Sequence, residues 1–211
     1  MVARKSDPEA SRAAILAAAR RCFSAKGFAG TSMNDIARAA EVTQSLIHHH
    51  FGAKAPLWRQ VLADAFEEYR VKQNAQLSAQ GHPRGLIHGS MADYFHFLAA
   101  HPDMLRLMAW AQLQGSDELT EIVSELYREG VSRLQAAQQA GIVRRDVPAE
   151  HILTVFLGLA RTWFEERNLV VDEQDAAATA KAGEDYLDAA WALFANGVVA
   201  PAHCTTADSA P

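Results

Sequence analysis

Residues 31–54 read TSMNDIARAAEVTQSLIHHHFGAK, and this stretch decides the fold. Thr31 or Ser32 supplies a hydroxyl to cap a short helix that carries Ile36, Ala37 and Ala40. Thr43 opens a second helix, only two turns long, that stops at His50-Phe51-Gly52. Two short helices joined by a tight turn are the geometry that sets a recognition helix into a major groove. The second of them, TQSLIHHH, has the chemistry for it. Leu46 and Ile47 anchor it inward, and Thr43, Gln44, Ser45, His48 and His49 are left as short polar groups on the other side. Glutamine can address adenine through two hydrogen bonds, and Ser or Thr can address bases or phosphates. A purely structural surface helix ordinarily carries Glu and Lys. This one carries no acid, as suits a helix lying against phosphates.

Upstream, Ser6-Asp7-Pro8-Glu9 starts a helix, with proline tolerated at its first position and an acid in its first turn. That helix places Ile15, Leu16, Ala19, Cys22 and Phe23 on one face and ends near Lys26-Gly27. Downstream, a long helix runs from about Lys54 to Leu77, followed by the linker-like SAQGHPRG of residues 78–85. Further helices are expected near 86–100, 103–114, 117–140, 148–167 and 174–196. No convincing period-two run of β-branched residues occurs, so the chain reads as all α, with about nine helices. The expected organisation is a three-helix head (residues 1–54), a larger helical domain (55–197) and a small, polar, disordered tail (198–211).

The net charge of −5 conceals an asymmetry. Residues 1–60 carry nine Lys/Arg against four Asp/Glu, and residues 61–211 carry eleven against twenty-one. A basic head on an acidic body suits one end to a polyanion, though a solvated basic helix would count the same. With 49% hydrophobic residues the chain can build a real core. The longest apolar run, 152–160, is interrupted by Thr154 and Gly158 and is too short for a membrane span. Residues 1–11 lack the apolar core of an export signal, and Cys22 and Cys204 share no pairing or metal spacing, so reduced thiols in a cytosol are expected. His48-His49-His50 cannot converge on one ion, because successive helical positions point about 100° apart. No metal and no cofactor is expected. Glu165-Glu166 and Glu184-Asp185 read as solvated charge, and no Glu-x-x-His pair, phosphate loop or nucleophile elbow is present, which disfavours an enzyme.

The body contains a dense apolar patch: Met91, Tyr94, Phe95, Leu98, Met104, Leu107, Met108, Trp110, Ala111 and Leu113. Such residues line adaptable pockets for apolar ligands, and they also build ordinary cores. As a pocket, His96, Arg106, Gln112 and Gln114 would orient the ligand, and Phe156, Leu159, Thr162 and Trp163 would close it. Helix 148–167 is apolar nearly all round over 152–160, so it needs two partners. Helix 174–196 supplies Tyr186, Leu187, Ala190, Leu193 and Phe194, with Ala178, Ala182 and Gly183 permitting close approach. Two such helices meeting a twofold copy would bury both stripes in a four-helix bundle, with Phe156 and Leu159 on the shared face.

Ile15-Leu16, Ala18-Ala19, Phe23, Gly27, Thr31-Ser32, Asp35-Ile36-Ala37, Val42-Thr43, Ile47, His50-Phe51, Lys54 and Leu57 together resemble the signature of the tetracycline-repressor (TetR) family over residues 12–58. The resemblance implies a homodimeric repressor of a pseudo-palindromic operator, released by a small, largely apolar or aromatic effector. A helical DNA-binding protein answering to a protein partner is the alternative. The resemblance also implies that Ser32 and Met33 approach the DNA backbone and that Thr43, Gln44 and Ser45 lead the recognition helix. Lys54 is implied to meet a phosphate. Four positions depart from the pattern. Glu41 stands where the turn usually has glycine, Ser45 replaces a second common glycine, and Ala55 replaces a common glutamate. His48 replaces a tyrosine whose hydroxyl typically reaches a phosphate.

Overall fold

The computed structural model of the chain describes residues 7–78, 83–115, 117–172 and 174–198. Among these residues nine α-helices follow one another: α1 (Pro8–Lys26), α2 (Met33–Ala39), α3 (Gln44–Phe51), α4 (Lys54–Ser78), α5 (Pro83–Ala100), α6 (Pro102–Leu113), α7 (Asp117–Gln139), α8 (Ala149–Glu166) and α9 (Ala176–Val198). A 3-10 turn at Arg167–Leu169 follows α8. The all-α reading holds. The expected tail lies outside the described residues from 199 onward. None of the described helices is long and apolar enough to cross a membrane.

The helix ends follow from local chemistry. Asp7 caps α1 by accepting from the Glu9 N–H at 3.1 Å, with Pro8 at the first helical position. Ser32 and Asp35 form a capping box on α2: the Ser32 Oγ accepts from the Asp35 N–H, and the Asp35 carboxylate accepts from the Ser32 N–H, each at 3.1 Å. The Ser32 hydroxyl also donates to that carboxylate at 2.6 Å. These Ser32 bonds, side chain first and backbone second, hold the Asp35 carboxyl below its usual range. Thr43 caps α3 by accepting from the Leu46 N–H at 3.3 Å.

The turn between α2 and α3 contains Glu41 at φ +56°, the left-handed region that glycine tolerates and a side chain does not favour. Glu41→Gly is therefore expected to stabilise the protein by about 0.5–1 kcal/mol, the relief of strain outweighing the added chain entropy. Thermal melting checks this. A melting temperature unchanged or lowered would show that the turn is not strained.

The chain divides into two compact units, one from residues 1–75 and 96–126, the other from 76–95 and 127–211. The first extends well past residue 54. Its core gathers Ile15, Ala18, Ala19 and Phe23 from α1, Ile36 and Ala37 from α2, Ile47 and Phe51 from α3, Leu57, Trp58, Val61 and Leu62 from α4, and Leu107 and Ala111 from α6. Phe23 meets Trp58 edge-on at 5.0 Å. Because α4 and α6 both enter this core, the short helices α2 and α3 rest on a rigid base.

α6 is fastened to α1 at both ends. Arg20 pairs with Asp103, its Nη2 donating to Oδ1 at 3.2 Å, and His101 Nδ1 stands 3.4 Å from the same guanidinium nitrogen. At the other end the Phe28 N–H donates to Gln114 Oε1 at 3.1 Å, beside Gly27, whose α-carbon lies under the Trp110 ring.

In the second unit α8 packs on α9. Phe156 meets Phe194 edge-on at 5.7 Å, and Trp163 stacks on Tyr186 at 5.2 Å. The Tyr186 hydroxyl donates to the Leu159 carbonyl at 2.6 Å. Phe95 of α5 joins this cluster, 4.9 Å from Phe164, and Gly183 admits the Trp163 indole edge. Arg144 closes the end of α9, its N–H donating to the Val198 carbonyl at 3.0 Å and its Nη1 to the Gly197 carbonyl at 2.8 Å.

Candidate nucleic-acid interface

Four of the eight candidate contact residues line one cleft of about 480 Å³: Ser32, Met33, Gln44 and Lys54, together with Ala29, Gly30, Thr31 and Asn34. It lies where the start of α2, the start of α3 and the start of α4 converge. Thr43, Ser45, His48 and His49 are exposed along α3 outside this lining. Thr43 Oγ1 and Ser45 Oγ are hydrogen-bonded at 3.0 Å, so the hydroxyl at position 45 braces the cap. His49 is set edge-on to His50, with ring centres 5.4 Å apart. His50 is half-buried beside Phe51.

Lys54 is more tightly held than a simple phosphate contact would be. Its ammonium donates to the Phe28 carbonyl at 2.8 Å and the Thr31 carbonyl at 2.9 Å, and lies 4.3 Å from the centre of the Phe28 ring. A cation at a helix N-terminus opposes the helix dipole, and these two carbonyls offset that cost. An ammonium has three N–H groups, so one remains to face the cleft. Phe28 is the junction: its N–H goes to α6 and its carbonyl to α4. Periodicity gave no sign of this role, since Phe28 lies in a turn.

Lys54→Ala is accordingly expected to lower the stability of the free protein by about 1–2 kcal/mol, as charged hydrogen bonds to the turn are lost. It is also expected to weaken DNA binding on every sequence alike. A variant with unchanged melting and reduced affinity would make Lys54 a phosphate contact alone.

His48 has both ring nitrogens in contacts. Nδ1 lies 2.5 Å from the Gly52 carbonyl oxygen, and Nε2 lies 3.3 Å from Gln44 Nε2. As found, the ring has no free N–H to offer a phosphate.

The ten residues expected to line a ligand pocket fall into both units. Met91, Phe95, Phe156 and Trp163 are buried in the second. Met104 and Leu107 are fully buried in the first, where Leu107 belongs to the head's core, Trp110 covers Gly27 and Gln114 holds Phe28. At these last three positions α6 is seated on α1 and the turn that follows it. Met108 is half-buried and His96 is exposed. Tyr94, a neighbour of this set, is pushed up to about 12 by burial.

The seven expected interface residues divide similarly. Phe156, Leu187, Ala190 and Phe194 are buried within one chain by the packing of α8 on α9. Leu159 and Tyr186 are half-buried, and Leu193 is 75% exposed. Val155, absent from the expected set, is 54% exposed on α8. A helix apolar nearly all round signals two partners without saying which face meets which.

Comparison with known proteins places both halves. Residues 15–61 match the family described as bacterial regulatory proteins, tetR family, and residues 89–190 match the tetracyclin repressor-like C-terminal domain. The chain is 30% identical over 157 residues to the HTH-type transcriptional repressor SCO4008 of Streptomyces coelicolor, covering 73% of this chain and 78% of that protein. It is 25% identical over 190 residues to the HTH-type transcriptional repressor NicS of Pseudomonas putida, covering 84% and 89%. Among solved structures, the fatty acid degradation regulator FadR from Bacillus halodurans shares the fold, with a TM-score of 0.70 at 15% identity over 90% of this chain and 96% of that one.

Proposed function

The chain belongs to the TetR family of transcriptional regulators, and from that premise we propose that it is a homodimeric repressor, released from a pseudo-palindromic operator by a small, largely apolar effector. The observation that carries this reading is the cleft shared by Ser32, Met33, Gln44 and Lys54, beside an exposed face of α3 that bears no acid. The remaining Lys54 N–H suits a phosphate oxygen, Gln44 suits a base edge, and Ser32, whose hydroxyl and N–H both donate to Asp35, shapes the cleft wall. Acting on DNA, the protein works in the cytoplasm. Two copies joined through the open faces of α8 and α9, around Val155, Leu159 and Leu193, would present two α3 helices to half-sites about 34–36 Å apart or a multiple of that.

Release follows from linkage: an effector that binds better to a conformation with the wrong half-site spacing lowers DNA affinity by its differential affinity for the two states. α4 and α6 are the levers, because both are built into the core on which α2 and α3 rest. The aromatic cluster of Phe95, Trp163, Phe164 and Tyr186 favours an apolar or aromatic effector.

Salt titration tests the DNA reading. If a dimer neutralises about 6–10 phosphates, affinity for duplex DNA should fall roughly 10³- to 10⁵-fold between about 50 and 200 mM salt. Compounds that raise the melting temperature in an apolar library should then lower that affinity. Binding indifferent to salt would sink the proposal.

A further inference from the structure

We propose that His48 is a positioning residue for base recognition, its ring fixing the Gln44 amide in the orientation that pairs with an adenine edge. The proposal rests on the reading that Gln44 meets a base. A backbone carbonyl only accepts, so the 2.5 Å contact between His48 Nδ1 and the Gly52 oxygen places the ring proton on Nδ1. Nε2 of the neutral ring is then an acceptor. At 3.3 Å it takes one hydrogen of the Gln44 amide nitrogen. The amide is thereby set with nitrogen toward His48 and oxygen away, in a continuous relay from Gln44 through His48 to the backbone of Gly52.

One N–H and the whole of Oε1 stay open on Gln44. A donor beside an acceptor is the pattern that meets N7 and the N6 amino group of adenine in the major groove. A free glutamine amide turns over readily and presents either order. Holding it in one order before binding removes that freedom in advance, which favours the matching base over its competitors. The relay also gives position 48 a purpose suited to imidazole, whose donor and acceptor sit on two ring atoms and reach Gly52 and Gln44 separately, whereas a phenol carries both on one oxygen at the far end of its ring. The i to i+4 spacing puts positions 44 and 48 on one exposed face, and position 52, beyond the end of α3, supplies the fixed acceptor.

The test uses the full-length protein and a pool of randomised DNA duplexes, with the bound fraction sequenced to give a preference at every position. Wild type should favour adenine at one symmetry-related pair of positions, roughly 5- to 150-fold, as a two-bond contact does. Gln44→Ala should flatten that position. His48→Asn keeps an amide nitrogen near the place of Nδ1, so Gly52 stays bonded, but it lacks the acceptor for Gln44. It should flatten the same position to within about twofold of Gln44→Ala, with melting unchanged. His48→Gln places an amide oxygen near the position of Nε2 and should keep the preference. Preference retained in His48→Asn overturns the proposal, because His48 would then only close the end of α3. Preference unchanged in Gln44→Ala overturns the reading of Gln44 and the relay with it. Nitrogen chemical shifts of the His48 ring give an independent readout: a proton found on Nε2 of the neutral ring would also overturn the relay.

Discussion

Replacing Leu193 with glutamate is expected to leave the protein folded, monomeric and unable to hold its operator. Leu193 is 75% exposed in the single chain, while Ala190 and Phe194 on the same helix are buried against the rest of the chain. A side chain of that size left open on α9, with Val155 likewise exposed on α8, is proposed as a contact of a second copy. Each buried leucine contributes about 1.5–3 kcal/mol, and twofold symmetry counts every substitution twice. Losing about 3–6 kcal/mol raises the dissociation constant roughly 10²- to 10⁴-fold, before any cost of burying two carboxylates. Light scattering should then report the mass of one chain at micromolar concentration. Operator affinity should fall with it, since one half-site no longer tethers the second. Phe194→Glu should unfold the chain instead, because Phe194 packs on Phe156. A Leu193→Glu protein that stays dimeric would move the interface elsewhere.

Gly27→Ala is expected to be among the most damaging single changes in the head. Gly27 has φ +70° and ψ 179°, a region essentially closed to residues with a side chain, and occupying it costs about 1–3 kcal/mol. An added Cβ would stand 2.7 Å from Gln114 Nε2 and 2.8 Å from Trp110 Cε3. Trp110 and Gln114 would have to move, and overpacking of this kind costs about 1–3 kcal/mol more. A total near 3 kcal/mol corresponds to a fall of roughly 6–12 °C in melting temperature for a chain of this size. The same displacement disturbs Phe28 and, through its carbonyl, Lys54, so DNA affinity should drop as well. A shift below about 2 °C would mean that α6 does not rest on the α1–α2 turn.

Much of the head was legible in the sequence because its signals are local. Asp7, Ser32 and Thr43 cap where hydroxyls and carboxylates should, and Gly27 and Gly52 sit at the helix ends with positive φ. Even the strain at Glu41 was announced by a missing glycine. What escaped is set by contacts distant along the chain. Arg20 and Asp103 are 83 residues apart, and no periodicity pairs them. Leu107 and Trp110 read as apolar density and Gln114 as a polar group among it, and neither pattern says that α1 and the turn after it face all three. Likewise the stripe on α9 identified Phe194 and Leu193 together, and only packing separates the inward ring from the outward leucine. For His48 the residue type was informative, but the position of its proton depends on the Gly52 carbonyl.

Two copies of α3, held at a fixed spacing, are proposed to read an inverted repeat. Selection from a pool of randomised duplexes, with the full-length protein at about 150 mM salt to suppress non-specific binding, tests it most directly. Two inverted half-sites with centres about 10–10.5 base pairs apart, or a multiple of that, should be enriched, each carrying a preferred adenine that Gln44→Ala erases. Enrichment of a single half-site without its inverted mate, or of no sequence at all, would contradict it.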